Sequence, residues 1–493
     1  MGVKQALFLL LGLFSIVVCS KNFPCYWNDK CMYDMFGTAT PYDSVRGDLR
    51  DQVEDDGCEV LSIWSLHRHG NRNPGADVTR NISALQAKIK HLLHDPTVHL
   101  RHHNNCAQDT DDLMNWRWNS TLDSSASYLT GTGYEELYDL GRRIEIQYQN
   151  FLKSVEKVHF RATNQQRTVT SLKAFVHGMT AGTPSLANLS MGIHPPLDRD
   201  DVLRPYENCQ RYQDEVLHGQ LLTDELAAYD TSPEFLAIRD ELQSKLPVDY
   251  QLTHTEVFTL YELCRFDRSW SEKLRSPWCS FFSIRHLLVL EYRDDVRHYY
   301  RNGYGSWVNS YLGALPLKDL YENFVNAIEG KKTLVSYFTH DTMLDMVFCA
   351  LGLYKDPKPL QGSAGIKWIK KEENDDSQDT DPMSRMWRTS EFAPFASNFI
   401  AVLSRCDESG KQTHRVRLFI NEKPTPLCPE EGCTWQQFLD IFQVFSEADL
   451  DFCAKEWAES GAGTAAFLTG RSNTKIGMAT ILFVLIITVL SVL

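Results

Sequence analysis

The chain has 493 residues, of which 43% are hydrophobic and 23% charged, and a formal net charge of −14. That length leaves room for two domains, or for one large domain carrying an insertion. The negative balance argues against nucleic acid as a partner, and it means that an anionic ligand needs a locally basic pocket.

In chain order, residues 1–20 read as a secretory signal peptide. Lys4 gives a positive start, residues 6–18 are an apolar run too short to span a bilayer, and Val18-Cys19-Ser20 offers a cleavage step. Residues 60–66 are short and apolar and end in His67-Arg68-His69-Gly70, the pattern of a buried strand feeding a polar loop. Residues 132–148 carry Leu137, Leu140 and Ile144 at helical spacing, 157–160 predict a second strand closed by Arg161, and 168–179 predict another helix. From about 189 to 326, charged and aromatic residues recur at helical spacing with few strand signals, which predicts an inserted helical cap. Residues 334–338 predict a third strand, ending at Thr339-His340-Asp341. Residues 371–381 are dense in acid and amide groups and read as a solvated loop without a function of its own. Residues 398–403 and 415–420, separated by a polar turn, predict a late hairpin. No internal repeat is present.

Strands alternating with helices predict an α/β fold, a mixed sheet flanked by helices. Residues 21–188 and 327–455 would form the catalytic α/β domain, and 189–326 the mainly helical cap. Beyond them, residues 456–475 read as a spacer that contains the small residues Ser460, Gly461, Ala462 and Gly463, and 476–493 as an uncharged apolar tail. That order resembles a signal for a glycosylphosphatidylinositol anchor, with Ser460 or Gly461 as the attachment site. A tail-anchoring helix is the alternative, although no basic flank follows it. The expected location is the outer face of the plasma membrane, with secretion or the lumen of the endoplasmic reticulum as alternatives.

Cysteine usage agrees with that compartment. Of 13 cysteines, Cys19 falls in the signal, and the other twelve are expected mostly in disulfides, with Cys264 and Cys279, and Cys428 and Cys433, as local candidates. The absence of Cys-x-x-Cys pairs argues against a zinc site. Sequons at Asn81, Asn119 and Asn188 predict glycans on surface loops.

Three predicted strands end in Arg or His, and in open α/β sheets ligands gather beyond the carboxyl ends of the strands. Guanidinium groups at Arg68, Arg72 and Arg161 would neutralise the oxygens of a phosphate ester and fit them with paired hydrogen bonds. A neutral imidazole at His69 could then attack phosphorus, splitting hydrolysis into transfer to His and transfer to water. His340 could donate a hydrogen bond to the same phosphate, and Asp341 could protonate the leaving alcohol. This chemistry asks for no metal and no cofactor.

His67-Arg68-His69-Gly70-Asn71-Arg72-Asn73-Pro74 resembles the signature of the histidine acid phosphatase branch of the histidine phosphatase superfamily. Arg161-Ala162-Thr163, with Arg167 and Ser171 behind it, resembles that branch's second arginine segment, and Thr339-His340-Asp341-Thr342 its C-terminal motif. Phe36-Gly37-Thr38-Ala39-Thr40-Pro41-Tyr42 is similar to the opening of multiple inositol polyphosphate phosphatases. So are Ser276-Pro277-Trp278-Cys279, Leu290-Glu291-Tyr292, Arg301-Asn302-Gly303-Tyr304-Gly305 and Asn421-Glu422-Lys423.

The resemblance implies an α/β domain with a helical cap, no metal, and inositol hexakisphosphate and lower inositol phosphates as substrates. It also implies removal of the 3-phosphate of 2,3-bisphosphoglycerate. Two positions depart from it: His340-Asp341-Thr342 stands where that family usually has His-Ala-Glu, and Ala39 where a lysine is common. A general secreted acid phosphatase acting on small monoesters is the alternative, and a silent surface glycoprotein that binds inositol phosphates or a partner protein is a second. A phosphoglycerate mutase fits the signal peptide and cysteines poorly.

Overall fold

The computed structural model describes residues 26, 35–51, 57–94, 106–246, 250–271, 275–363, 385–408 and 410–454. The expected signal peptide, the acidic loop over 371–381, the spacer with Ser460 and Gly461, and the apolar tail lie outside these residues.

The sheet is built around β1 (Cys58–Arg68). On one side, β3 (Thr333–Thr339) runs parallel to it and β2 (Lys157–Ala162) runs parallel to β3. On the other, β4 (Asn398–Glu408) is antiparallel to β1, and β5 (Lys411–Ile420) returns antiparallel to β4 as the expected hairpin. The sheet is therefore mixed, with two short pieces, Lys423–Pro424 and Cys433–Thr434, completing its edge beside β5.

The last eight residues of β1 are all buried, because helices cover both faces of the sheet. On one face, Ile63, Leu334, Phe338 and Phe419 pack with Leu137, Leu140 and Phe175 of the helices Gly131–Gln147 and Gln166–Ala181. Each such side chain contributes about 1.5–3 kcal/mol by leaving water. A Cβ on Gly178 would lie 2.0 Å from the Tyr138 carbonyl oxygen, and one on Gly141 2.2 Å from that of Phe175. The two helices can cross this closely only because glycine stands at both contacts. On the other face, Trp64, Tyr337 and Phe399 pack with Leu312 and Leu317 of the helix Trp307–Glu329. Asp319 of that helix accepts from the Trp64 indole at 2.7 Å and from the Tyr337 hydroxyl at 3.3 Å.

The described residues of 200–326 contain helices and turns but no strand. Two long helices matter for the site. His254–Trp270 is started by a capping box between Thr253 and Glu256, and Ile284–Asn302 by the Ser283 side chain, which accepts from the His286 N–H. The boundary expected at 326 falls inside the helix Trp307–Glu329, which lies on the sheet. The inserted helices also share their core with the sheet: Leu260, Val289 and Leu312 belong to one apolar cluster with Trp64 and Phe399.

Cys58–Cys406 bridges β1 to β4, Cys209–Cys453 ties the insertion to the C-terminal segment, and both local pairs, Cys264–Cys279 and Cys428–Cys433, are closed. Cys106 is also disulfide-bonded. Cys349 is free and buried, 3.0 Å from the Ser310 hydroxyl. These bonds mark a chain of the secretory pathway. Asn81, Asn119 and Asn188 all expose their side chains, Asn81 from the helix Ala76–His94 rather than from a loop. Among the described residues, no helix is long and apolar enough to cross a membrane.

Candidate active site

The three parallel strands end at one level: Arg68 pairs with Thr339, and Ala162 with Phe338. The residues that follow the strands therefore meet beyond the carboxyl edge. A cavity of about 390 Å³ opens there. Arg68, His69 and Arg72 line it from the end of β1, His340, Asp341 and Thr342 from the end of β3, and Arg167 from the helix after β2. Arg265, Arg297, His298 and Arg301 reach it from the inserted helices, and Phe395 from the turn before β4.

The loop after β1 is fixed on all sides. The His69 N–H donates to the Thr339 carbonyl at 3.1 Å, the Gly70 N–H to Ser171 Oγ at 3.1 Å, and the Asn71 N–H to buried Glu136 at 2.7 Å. A Cβ on Gly70 would lie 2.2 Å from the Gly133 carbonyl oxygen, so the loop sits on the first turn of the helix Gly131–Gln147 as only glycine allows.

The His69 ring is held in one tautomer. Its Nδ1 is 2.8 Å from the Gly70 carbonyl oxygen, which can only accept, so Nδ1 carries the proton and Nε2 the free lone pair. Burial, and then Arg68, Arg167, His340 and Arg72, hold its pKa well below the ordinary value. The ring is therefore neutral in weak acid, the state that attacks phosphorus.

Arg68 and Asp341 form a pair, Nη2 to Oδ2 at 3.0 Å, while Arg68 Nη1 donates to the carbonyls of Thr38 and Ala393. Burial pushes the Asp341 carboxyl up, but Arg68, with His298, His69 and Arg72, outweighs burial and keeps it well below the usual range. In the empty cavity Asp341 is thus a carboxylate. It would act first as a base unless a proton arrives with the substrate or from a neighbour.

Two expectations change. His340 lines the cavity, but its Nδ1 accepts from Arg167 at 3.3 Å, which leaves Nε2–H to donate to Thr163 Oγ1 at 3.2 Å. It therefore positions Arg167 and does not present an N–H to a phosphate. Arg161 does not line the cavity. It is still inside β2, and Asp200, only 1% exposed, holds it at 3.1 Å beside the Tyr337 ring. Strand geometry fixes it on the sheet face, whereas Arg167 stands past the strand end on the first turn of a helix. Arg167 takes the place expected of Arg161.

These placements separate by mutation. Arg167→Gln is expected to lower kcat/KM about 10–10²-fold, the value of one hydrogen bond to a charged group, with little change in melting temperature. Arg161→Ala is expected to spare kcat and to lower stability by about 3 kcal/mol, because it leaves Asp200 buried and unpaired. Phosphate-release kinetics and thermal melting of the two variants test the assignment.

Sequence reading gave no site role to Arg265, Arg297, His298 or Arg301, although Arg301 opens one of the quoted segments. The signal for the last three was a helix whose inward face is polar: Asp294, Arg297, His298, Arg301 and Asn302 recur at helical spacing on Ile284–Asn302. Other quoted segments prove structural. Glu422 takes a two-pronged ion pair from Arg143, 2.7 Å on each prong, and a 2.9 Å hydrogen bond from Tyr42. Glu291, also buried, pairs with Arg388 at 3.2 Å. Among the described residues, no group of three or more His, Cys, Asp or Glu side chains is placed to hold a metal ion.

Residues 59–421 match the family model described as the histidine phosphatase superfamily, branch 2. A multiple inositol polyphosphate phosphatase 1 from Drosophila melanogaster is 27% identical over 476 residues, 93% of this chain and 97% of that protein. The crystal structure of the phytase from D. castellii matches with a TM-score of 0.68 at 16% identity, covering 90% of this chain and 92% of that one. The Bifidobacterium longum multiple inositol polyphosphate phosphatase in complex with inositol hexasulfate matches with a TM-score of 0.61 at 13% identity, covering 80% of this chain and 94% of that one. At such identities the two structures share the fold with this chain: a mixed sheet flanked by helices.

Proposed function

The chain belongs to branch 2 of the histidine phosphatase superfamily, and on that premise we propose that it hydrolyses phosphomonoesters of inositol polyphosphates through a phosphohistidine at His69. The observation that carries this reading is the charge of the cavity. Arg72, Arg167 and Arg301 line it and form no ion pair with a carboxylate among the described residues. Burial, with Arg68 and Arg167, lowers the Arg72 pKa to about 10, so its guanidinium still stays charged at neutral pH. Half-buried cations without counterions are costly, and a polyanion offsets that cost. The inserted helices add Arg265 and Arg297, but Asp294 pairs with both and Glu262 with Arg265, so the spread of cations rests on Arg72, Arg167 and Arg301. A ligand with several phosphates fits this spread of cations better than one with a single phosphate.

In the first half-reaction Nε2 of His69 bonds to phosphorus, the ester P–O bond breaks, and the leaving oxygen takes a proton by way of Asp341. In the second, Asp341 accepts a proton from water, the water oxygen bonds to phosphorus, and the N–P bond breaks. Arg72 and Arg167 hold the transferring oxygens through both steps.

The test is phosphate release from inositol hexakisphosphate, 2,3-bisphosphoglycerate and 4-nitrophenyl phosphate by the purified chain. A kcat/KM highest on inositol hexakisphosphate is expected. Turnover of the aryl ester alone would favour a general acid phosphatase, and no release from any ester would favour a silent binding glycoprotein.

Residence at the cell surface through a lipid anchor near Ser460 or Gly461 extends this reading. It is supported by the small residues followed by an uncharged tail, and by the secretory disulfides. Phosphatidylinositol-specific phospholipase added to intact cells is expected to release the activity. Retention of the activity while a control anchored protein is released would exclude the anchor.

A further inference from the structure

A second histidine–carboxylate pair stands in the cavity, apart from His69 and Asp341. His298 lines the cavity with Asp341, and its Nδ1 lies 2.7 Å from Oδ2 of Asp345. Asp345 is fully buried and follows Asp341 by four residues on the helix Asp341–Ala350. Residues four apart share a helix face, so one carboxylate meets the cavity and the other backs it from one turn deeper. Asn302 Nδ2 donates to the same Asp345 oxygen at 3.0 Å, while Asp345 Oδ1 has no hydrogen-bond partner.

The partners fix the state of the ring. Arg297 Nη2 can only donate, and it stands 3.5 Å from His298 Nε2. Nε2 therefore holds the lone pair, and Nδ1–H donates to Asp345. The 3.3 Å approach of Asn302 Nδ2 to His298 Nδ1 is then two donors converging on one acceptor. The result is an imidazole aimed by a buried carboxylate, with its lone-pair nitrogen on the side of Arg297.

We infer that His298, oriented by Asp345, is the proton relay that loads Asp341 before each attack on substrate. The inference rests on the phosphatase reading above. In the second half-reaction the water proton passes to Asp341 and on to His298 Nε2, with Asp345 as countercharge to the imidazolium. In the next first half-reaction Nε2–H returns that proton to Asp341, which gives it to the leaving oxygen as the P–O bond breaks. Protons balance over one turnover, and no co-reactant is needed. The relay answers a specific difficulty: Asp341, paired with Arg68 at 3.0 Å, is ionised in the empty cavity. The charged groups that face His298 are Asp341 and Asp345 from the following helix, Arg297, Arg301 and Asp294 on its own helix, and Arg265 from His254–Trp270.

The test uses the full chain with His298→Ala, His298→Gln and Asp345→Asn. It reads steady-state turnover of inositol hexakisphosphate, first-turnover release of 4-nitrophenol, and the pH profile of each. Turnover of the inositol ester is expected to fall about 10²-fold in all three variants, the lower end for losing a proton-transfer group. The pH profile should lose one ionisation, the first-turnover burst should stay within a few-fold of normal, and added imidazole should restore His298→Ala. Equal losses on both esters, with an unchanged pH profile and no rescue by imidazole, would reduce His298 to packing and overturn the relay. If His298→Ala melts early, Asp345→Asn decides, because it keeps shape and volume; an unchanged pH profile there overturns the relay. A wild-type chain that releases phosphate from neither ester overturns the phosphatase reading itself, whereas active wild type with unaffected variants overturns the relay alone.

Discussion

Replacing His69 with Ala is expected to remove turnover of every phosphomonoester, by roughly 10⁴–10⁶-fold, the scale seen when an enzyme loses its nucleophile. The loss should not depend on the leaving group, since the bond that His69 forms is common to all substrates. Its Nε2 lone pair is set by the Nδ1–H bond to the Gly70 carbonyl, and burial with four neighbouring cationic or imidazole groups keeps the ring neutral. Because this pKa is depressed, the nucleophile stays available as pH falls through the usual histidine range near 6.5 and is lost only at much lower pH. Rapid quenching under non-acidic conditions with labelled substrate should trap phosphate on the wild type. A labelled phosphoenzyme that survives His69→Ala would transfer the role to another group. The substitution removes a 2% exposed ring, so thermal melting should accompany the kinetics.

For Asp341→Asn the expected loss is about 10²–10⁴-fold on inositol phosphates and much less on an aryl phosphate. An inositol alkoxide is a poor leaving group and needs its proton in the transition state, whereas nitrophenolate leaves without one. The pH dependence carries the same sign. Asp341 is held ionised by Arg68 and its neighbours, so the proton is drawn from a substrate monoanion or from a neighbouring group. A phosphomonoester gives up its second proton near pH 6, and activity on inositol phosphates should decline as pH rises through that region. The slope should flatten in Asp341→Asn. Asn still accepts from Arg68, so a large loss of stability is not expected, and melting of the variant checks this. Equal losses on both esters would remove Asp341 as the proton donor.

The strands, the helical run over 200–326 and several of the strand-end residues that line the cavity were legible in sequence because each rests on a local pattern. β1 announced itself as an apolar run ending in Arg68-His69-Gly70, and β3 as one ending in His340-Asp341. Burial of both strands on two faces is what makes them continuous in hydrophobicity. The glycine at 70 could be read as part of a motif, but its reason appears only in space, where Gly133 leaves no room for a Cβ.

What sequence determined by itself was the fold class, the placing of Arg68, His69 and Arg72 at the end of β1 and of Asp341 at the end of β3, and two disulfides between cysteines close along the chain, Cys264–Cys279 and Cys428–Cys433. These are short-range facts: a strand end, a turn and a loop closure are written in neighbouring residues. Only the tertiary structure decided between Arg161 and Arg167, six residues apart on the same segment, because Asp200 holds one on the sheet face and a helix start carries the other into the cavity. It alone brought Arg297, His298 and Arg301 to the cavity, and paired Cys58 with Cys406 across 348 residues. Such contacts depend on where the chain returns after a long excursion, which residue type and spacing along the chain do not encode.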